Sequence, residues 1–311
     1  MLQRMLATHP QIATGPEPTF LLPLLKLTDA DAVAATFDQR FTAAAIEDFL
    51  DSTGDASSTY DELVRAAAEV AYRRAAGDDA RYFLDKTPKY HVVAHDLVRI
   101  FPDSPAIVLW RNPLAVIGSI LATWGGGGGR WNLQHFRLDL YEGLPALIDA
   151  VVRDPARFHV VSYETLVSAP DDTTGAIFDH LGLDPAAARV ARFGDVELRG
   201  RIQDQNVGSE GFKTVRTDRV DHWRSVLANP VRRAWCRRYL RWLGHDRLAV
   251  MGYDLDDLMA ELAALPSSSR FLLSDAVKMP YDYAYRTLEL GMAGRTAHRI
   301  VRRRFPLQAH K

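Results

Sequence analysis

The sequence is almost free of cysteine, and its single Cys236 excludes a disulfide within the chain. Such usage is typical of a reducing compartment. Long apolar runs are absent as well: residues 20–27 are interrupted by Pro23 and fall far short of the ~20 residues of a membrane-spanning helix. The first residues also lack the apolar stretch and small-residue cleavage site of a secretory signal. We therefore expect a soluble cytoplasmic protein.

An excess of charge of either sign is also lacking, because 38 Lys and Arg face 39 Asp and Glu, for a net charge of -1. This balance gives no general attraction to nucleic acid, so a nucleic-acid-binding role is not expected. The end of the chain differs, since residues 295–311 contain Arg299, Arg302, Arg303 and Arg304 and almost no acid. We expect a solvated helix face there, with weak contact to a membrane surface as the alternative.

The length and composition suit one large folded core with an appendage. Hydrophobic residues make up 47% of the 311 positions and charged residues 25%. No repeat of fixed period is visible. We predict a main domain over residues 1–265 and a helical, basic extension over residues 266–311.

Short strands alternate with helices along much of the chain. Residues 106–110 form a wholly apolar strand that ends at Arg111, and a helix follows over 114–124. An uninterrupted apolar strand is typical of a parallel sheet that is covered on both faces. We therefore predict an α/β fold with a parallel sheet flanked by helices. The other predicted strands are 11–14, 81–84 and 158–161, and the other predicted helices are 1–8, 42–50, 60–76, 91–101 and 173–181.

Arg111 is the strongest binding candidate in this pattern. It follows the carboxyl end of an apolar strand, which is where open α/β sheets bind ligands. Its planar guanidinium suits a phosphate group, and Ser119, about two helical turns beyond Pro113, can add a hydroxyl donor. An ordinary surface ion pair of Arg111 is the alternative on spacing alone.

Several blocks together resemble one known family, the sulfotransferase superfamily. Their order and spacing match its core over roughly residues 1–227, and the likeness is greatest to bacterial members of the tyrosylprotein and heparan type. The blocks are LDKTP at 84–88, FPD at 101–103, LWRNP at 109–113 with Ser119, and SYETLV at 162–167 with Pro170. The resemblance implies a nucleoside-triphosphate-hydrolase-like fold and transfer of a sulfuryl group from 3′-phosphoadenosine 5′-phosphosulfate. The implied acceptor is a hydroxyl of a carbohydrate, peptide or lipid-linked molecule.

The same resemblance implies how the nucleotide is held. Arg111 and Ser119 correspond to the residues that bind the 3′-phosphate, and Tyr163 corresponds to a tyrosine beside the nucleotide. A later basic loop closes over that phosphate in the family. Arg216 and Arg219, which precede Trp223, match this loop most loosely.

Glu17 and Lys86 are the implied catalytic pair. Glu17 lies in a stretch that resembles the one carrying the family's general base, which takes the proton of the acceptor hydroxyl. Lys86 supplies positive charge beside the sulfuryl oxygens and the leaving phosphate, and no metal is required. The alternatives are an ordinary loop carboxylate and a surface lysine at a strand end.

The glycine run at 125–129 is not followed by Lys-Ser or Lys-Thr and does not follow a strand, which argues against a phosphate-binding loop. We interpret it as a flexible loop over the acceptor cleft. Arg130 and Trp131 are then candidate acceptor contacts.

The start of the chain departs from the family pattern. Members have a strand and a Gly-Ser/Thr-rich phosphosulfate loop directly before the helix that begins here at Met1, so this first strand and loop are expected to be missing. An upstream start codon, a trimmed domain or a degenerate protein would each explain this. As it stands, the chain is expected to fold poorly and to be inactive, and a catalytically dead nucleotide-binding remnant is the alternative function. A kinase or nucleoside triphosphatase is disfavoured, since no second carboxylate is placed at a strand end to carry magnesium.

Overall fold

The computed structural model describes residues 1–29, 38–125, 130–198 and 214–287, with side chains up to residue 280. These residues divide into two compact units. The first comprises Met1–Asn112, Leu138–Val220 and Asp246–Gly252, and the second comprises the described parts of Pro113–Arg137, Asp221–His245 and Tyr253–Lys311. The predicted boundary at residue 265 stays a prediction.

All four predicted strands are confirmed, and they form two parallel pairs in the first unit. Strands β1 (Ile12–Thr14) and β2 (Tyr82–Leu84) pair with Thr14 opposite Leu84. Strands β3 (Ala106–Trp110) and β4 (Phe158–Ser162) pair with Trp110 opposite Ser162. Because the strands of each pair are parallel, the residues that follow them lie at one edge of that pair.

The predicted helices are confirmed with shifts of a few residues at their ends. The helices are α1 (Leu2–Leu6), α2 (Leu21–Leu24), α3 (Gln39–Asp51), α4 (Ala56–Ala76), α5 (Ala94–Ile100), α6 (Pro113–Trp124), α7 (Leu144–Arg153), α8 (Tyr163–Ser168), α9 (Pro170–His180), α10 (His222–Val226), α11 (Pro230–Val250), α12 (Leu255–Ala264) and α13 (Leu272–Thr287). None of the described helices combines the length and apolar character needed to cross a bilayer.

Two local expectations are corrected. The helix predicted over 91–101 starts earlier, as a 3₁₀ turn over Pro88–Val93, because a proline is well suited to a first helical position. Cover on both faces of the β3–β4 pair is incomplete, since Leu109 is 38% and Val160 46% exposed. In the described part of the chain this sheet has only two strands. The crossover helices that further strands would bring, and that would bury both faces, are therefore lacking there.

One hydrophobic core lies against both strand pairs of the first unit. Ile12 of β1 and Val161 of β4 are buried in it, and Leu84 of β2 and Ile107 of β3 pack against it. The helices contribute Met5, Leu6, Leu166, Ile177 and Phe178. Burial of these side chains stabilises the arrangement that carries both strand ends.

The buried His9 fixes the turn that leads into β1. Its Nδ1 accepts a hydrogen bond from the backbone N–H of Gln11 (3.1 Å), and its Nε2 lies 3.2 Å from the carbonyl oxygen of Asp184. The first bond requires an unprotonated Nδ1, so Nε2 carries the proton and donates it to that carbonyl. This side chain therefore anchors the approach to β1 at a residue far away in the sequence.

In the second unit, α6 and α10 pack unusually closely at Gly118. A Cβ atom at Gly118 would lie 2.6 Å from Cβ and 2.8 Å from Cα of the buried Trp223. Separations this short cannot be relieved by rotating a side chain, because one of the opposing atoms is backbone.

We therefore predict that Gly118→Ala lowers the free energy of unfolding by about 1–3 kcal/mol through overpacking. Gly175→Ala is the matched control, since Gly175 lies within α9 and has nothing within 4 Å of the added Cβ. That variant should gain up to about 1 kcal/mol from higher helix propensity. Chemical denaturation checks both, and equal midpoints for Gly118→Ala and wild type would refute the close packing.

Helices α11 and α13 of the second unit are joined by a fully buried ion pair. Arg232 is 1% and Asp275 0% exposed, with Nε to Oδ2 at 2.6 Å and Nη2 to Oδ1 at 3.1 Å. Arg232 also donates to the carbonyl of Val226, and Asn229 donates to Asp275. This network of hydrogen bonds orients the first turns of α13.

The predicted arginine cluster of the tail lies outside the described residues.

Candidate functional site

Glu17 and Lys86, predicted as a pair, form an ion pair in the structure. Glu17 lies in the loop after β1 and Lys86 in the loop after β2, so the parallel pairing brings them to one edge. Lys86 Nζ donates to Glu17 Oε1. The lysine side chain is 44% exposed and the glutamate 18%, so the pair is open to a ligand from the lysine side.

The residue before Lys86, Asp85, is a feature that sequence reasoning missed. Its carboxylate accepts hydrogen bonds from the hydroxyls of Tyr72, Tyr90 (2.6 Å) and Thr87 (3.1 Å). The Tyr72 ring also stacks on Phe83 of β2, with centroids 4.8 Å apart. The loop that carries Lys86 is thus tied to α4 and to the 3₁₀ turn that follows it.

A second charged group flanks the same loop. Lys89 donates to both carboxylate oxygens of Asp139 at 2.6 Å, and His91 Nε2 lies 3.3 Å from Asp139 Oδ1. Burial alone would raise the pKa of Asp139, but His91 and Lys89 together hold it below its usual value. Asp139 therefore remains a carboxylate that fixes the 3₁₀ turn through Lys89 and His91.

Arg111 and Tyr163 meet at the ends of the other strand pair. Arg111 follows β3, and Tyr163 is the first residue of α8, directly after β4. The Arg111 guanidinium carbon lies 4.2 Å from the centre of the Tyr163 ring. Arg111 Nη2 donates to the carbonyl oxygen of Arg219 (3.2 Å), whereas its buried Nε has no hydrogen-bond partner within the described residues.

Glu164 joins the ends of β3 and β4 and was not predicted from the sequence as a site residue. Its Oε1 accepts from the backbone N–H of Asn112 at 3.1 Å, and its Oε2 accepts from the Ser162 hydroxyl at 3.0 Å. Because Asn112 directly follows Arg111, this carboxylate holds the backbone that orients the guanidinium. The glutamate of the SYETLV block, directly after the predicted strand, was the sequence feature that could have indicated this contact.

The remaining predicted nucleotide contacts are distributed as follows. Arg216 forms a two-point ion pair with Asp218 on the exposed surface, with Nε to Oδ1 at 3.0 Å. Arg219 meets Arg111 through its backbone carbonyl. Ser119 lies on α6, in the second unit, so its contribution with Arg111 stays a prediction.

The proposed acceptor contact of Trp131 is wrong. This side chain is 1% exposed and packs edge-on against Trp235 of α11, with ring centroids 5.1 Å apart. Glycines 126–129 lie outside the described residues, while Arg130 is exposed. In the described ranges, no group of three or more His, Cys, Asp or Glu could hold a metal ion.

Comparison with known proteins identifies the family. A model of the sulfotransferase family matches residues 1–187, and since this is more than half of the chain, the protein belongs to that family. The predicted membership of the sulfotransferase superfamily is thereby confirmed.

Individual proteins are similar over much of the chain. The nodulation protein NoeE of Sinorhizobium fredii (strain NBRC 101917 / NGR234) is 30% identical over 249 residues, and the match spans 70% of this chain but 57% of NoeE. The sulfotransferase domain of the curacin biosynthetic pathway has a TM-score of 0.47 at 20% identity, covering 72% of this chain and 86% of that domain. The sulfotransferase domain of the Synechococcus PCC 7002 olefin synthase has a TM-score of 0.43 at 22% identity, covering 72% and 82%.

Proposed function

We propose that this protein transfers a sulfuryl group from 3′-phosphoadenosine 5′-phosphosulfate to a hydroxyl of a carbohydrate, peptide or lipid-linked acceptor. The observation that carries the proposal is the Glu17–Lys86 ion pair at the carboxyl ends of two paired parallel strands. A base and a cation are the two groups that this transfer needs at the reacting atoms.

In the proposed step, the acceptor oxygen attacks sulfur while its proton passes to the Glu17 carboxylate. The bond between sulfur and the bridging phosphate oxygen breaks, and the leaving nucleotide keeps that electron pair. The ammonium of Lys86 has three N–H donors, so it can remain with Glu17 and still bind a sulfuryl oxygen. The step is then promoted by positioning and charge, as in phosphoryl transfer.

The nucleotide half of the proposal rests on Arg111, Ser119 and Tyr163, with Arg216 and Arg219 as further cations. The support is the half-buried Arg111 guanidinium, which lies over the Tyr163 ring and has a buried Nε that meets no described acceptor. Such a guanidinium is preorganised to bind a phosphate oxygen. A metal-free reaction, the absence of nucleic-acid partners, weak membrane contact by the tail and a cytoplasmic location all remain parts of the proposal.

Glu17→Gln is the variant that tests the base. We expect kcat for sulfuryl transfer to fall by about 10²–10⁴-fold, because an amide cannot take the proton of the acceptor hydroxyl. Affinity for adenosine 3′,5′-bisphosphate should stay within about twofold, since the change leaves Arg111 and Tyr163 intact. Glu62→Gln, at an exposed position on α4, is the matched control and should behave as wild type.

The assay follows label from sulfur-labelled donor into a panel of hydroxyl acceptors. It is run on the 311-residue protein and on a form extended at its N-terminus by the encoded upstream residues. Full activity in Glu17→Gln would refute the role of this base. Nucleotide binding without transfer by either form would favour the catalytically dead remnant instead.

A further inference from the structure

We propose that Asp85 is the positioning residue of the catalytic pair, acting through a network of hydroxyl donors formed by Tyr72, Tyr90 and Thr87. This inference rests on the proposed sulfuryl transfer and deepens it, because it concerns how Lys86 and Glu17 are held. Neither the motif resemblance nor the strand pattern assigns a role to Asp85, Tyr72 or Tyr90.

The Asp85 carboxylate accepts hydrogen bonds from three hydroxyl groups, which is more than is needed to hold one loop. A carboxylate next to a lysine would ordinarily be free to compete for nearby cations. Here its oxygens instead accept hydrogen bonds from the hydroxyls of Tyr72 on α4, of Tyr90 in the 3₁₀ turn and of Thr87. With three neutral donors satisfying Asp85, Lys86 is directed to Glu17 rather than to its own neighbour in the sequence.

Burial, followed by the charge of Asp85 and the hydrogen bond to it, raises the pKa of both Tyr72 and Tyr90 well above that of an ordinary phenol. Both phenols therefore stay protonated, and keep donating, throughout the pH range in which an enzyme assay is practical. The hydrogen bonds to Asp85 are therefore kept at every pH used in the assay.

The network also reaches the loop that carries Glu17. Thr87 Oγ1 lies 3.4 Å from the backbone N–H of Thr19, two residues after Glu17. Thr19 has a φ of 56°, a left-handed conformation that is costly for a β-branched residue. Strain of this kind persists where the surrounding structure imposes it, and it is concentrated at functional sites. One carboxylate therefore connects the loops of both catalytic residues.

The test compares Tyr72→Phe, Tyr90→Phe and the double variant with Tyr60→Phe. Tyr60 is the matched control, because it lies on the same helix α4 as Tyr72 but donates its hydroxyl to the carbonyl of Leu24. Removing hydroxyls from the network should lower kcat, up to about 10²-fold in the double variant, as expected for displacement of reacting groups by about 1 Å. The KM of the acceptor should change by less than about twofold.

A second readout does not depend on turnover. Acetylation of Lys86 by a small acylating reagent, followed by mass spectrometry with the exposed Lys278 as internal reference, reports how firmly Glu17 holds the ammonium. We expect faster acetylation of Lys86 in the double variant and no change in Tyr60→Phe. This measurement stands even if wild type transfers no sulfuryl group, so a failure of the proposed function is distinguished from a failure of this inference.

The inference is supported by a fall in kcat together with faster acetylation of Lys86. It is overturned if either quantity is unchanged in the double variant of an active protein, or if Tyr60→Phe lowers kcat equally. For a protein without transfer activity, an unchanged acetylation rate alone overturns it. Thermal unfolding of each single variant identifies the temperature at which all are folded, so that kcat is compared between native proteins.

Discussion

Arg111→Ala is expected to weaken the binding of adenosine 3′,5′-bisphosphate by at least about thirtyfold, which corresponds to about 2 kcal/mol and lies within the roughly 1.5–3 kcal/mol typical of a hydrogen bond to a charged group. The physical reason is that the guanidinium is already oriented before any ligand binds. Tyr163 holds one face of it at 4.2 Å, and the carbonyl of Arg219 takes one of its N–H groups. Little conformational entropy is therefore lost when a phosphate binds.

Isothermal titration calorimetry measures this effect, and two further variants sharpen it. Arg111→Lys should recover only part of the affinity, because an ammonium keeps the charge but loses the planar fork and the stacking on Tyr163. Arg157→Ala is the matched control: Arg157 also donates to a backbone carbonyl, that of Phe101 at 2.8 Å, and is not predicted to meet nucleotide. Unchanged affinity in Arg111→Ala would remove the nucleotide-binding half of the proposal.

Asp275→Ala is expected to lower the free energy of unfolding by about 3–5 kcal/mol, the cost of leaving a buried charge without its partner. Arg232 is 1% exposed and cannot reach water when the carboxylate is removed. It would keep its hydrogen bond to the Val226 carbonyl and its place over the Phe271 ring, with 5.1 Å to the ring centre, but no longer the carboxylate. Denaturant unfolding followed by circular dichroism measures the loss.

The paired replacement Arg232→Met with Asp275→Leu is the informative control. Two apolar side chains of similar size remove both charges together, so the double variant should be markedly more stable than Asp275→Ala. If Asp275→Ala unfolds at the wild-type midpoint, the ion pair does not hold α13 against α11.

The sequence predicted the elements whose cause is local. The apolar run of β3 was identified with its observed bounds, Ala106–Trp110, because five consecutive apolar residues between turn signals have few alternatives. The pair of Glu17 and Lys86 was implied by the family resemblance, and the parallel pairing of the strands that precede them brings the two side chains together. The bounds of β3 thus follow from residues that are adjacent in the sequence.

What could not be predicted depends on residues that are distant in the sequence. Tyr72 stands in an Ala-rich helix, and no local pattern indicates that its hydroxyl reaches Asp85, 13 residues later. Trp131 was misjudged for a similar reason. A tryptophan after a glycine run resembles a loop residue, and its partner Trp235 is about a hundred residues away. Tertiary packing decided both cases.

The most direct test of the account is transfer of label from sulfur-labelled 3′-phosphoadenosine 5′-phosphosulfate to hydroxyl acceptors, measured together with release of adenosine 3′,5′-bisphosphate. The account predicts equimolar label in the acceptor and bisphosphate in solution, lost in Glu17→Gln and retained in Glu62→Gln. A protein that instead transfers the terminal phosphate of ATP in a magnesium-dependent reaction, with no label moved from the sulfur donor, would contradict it.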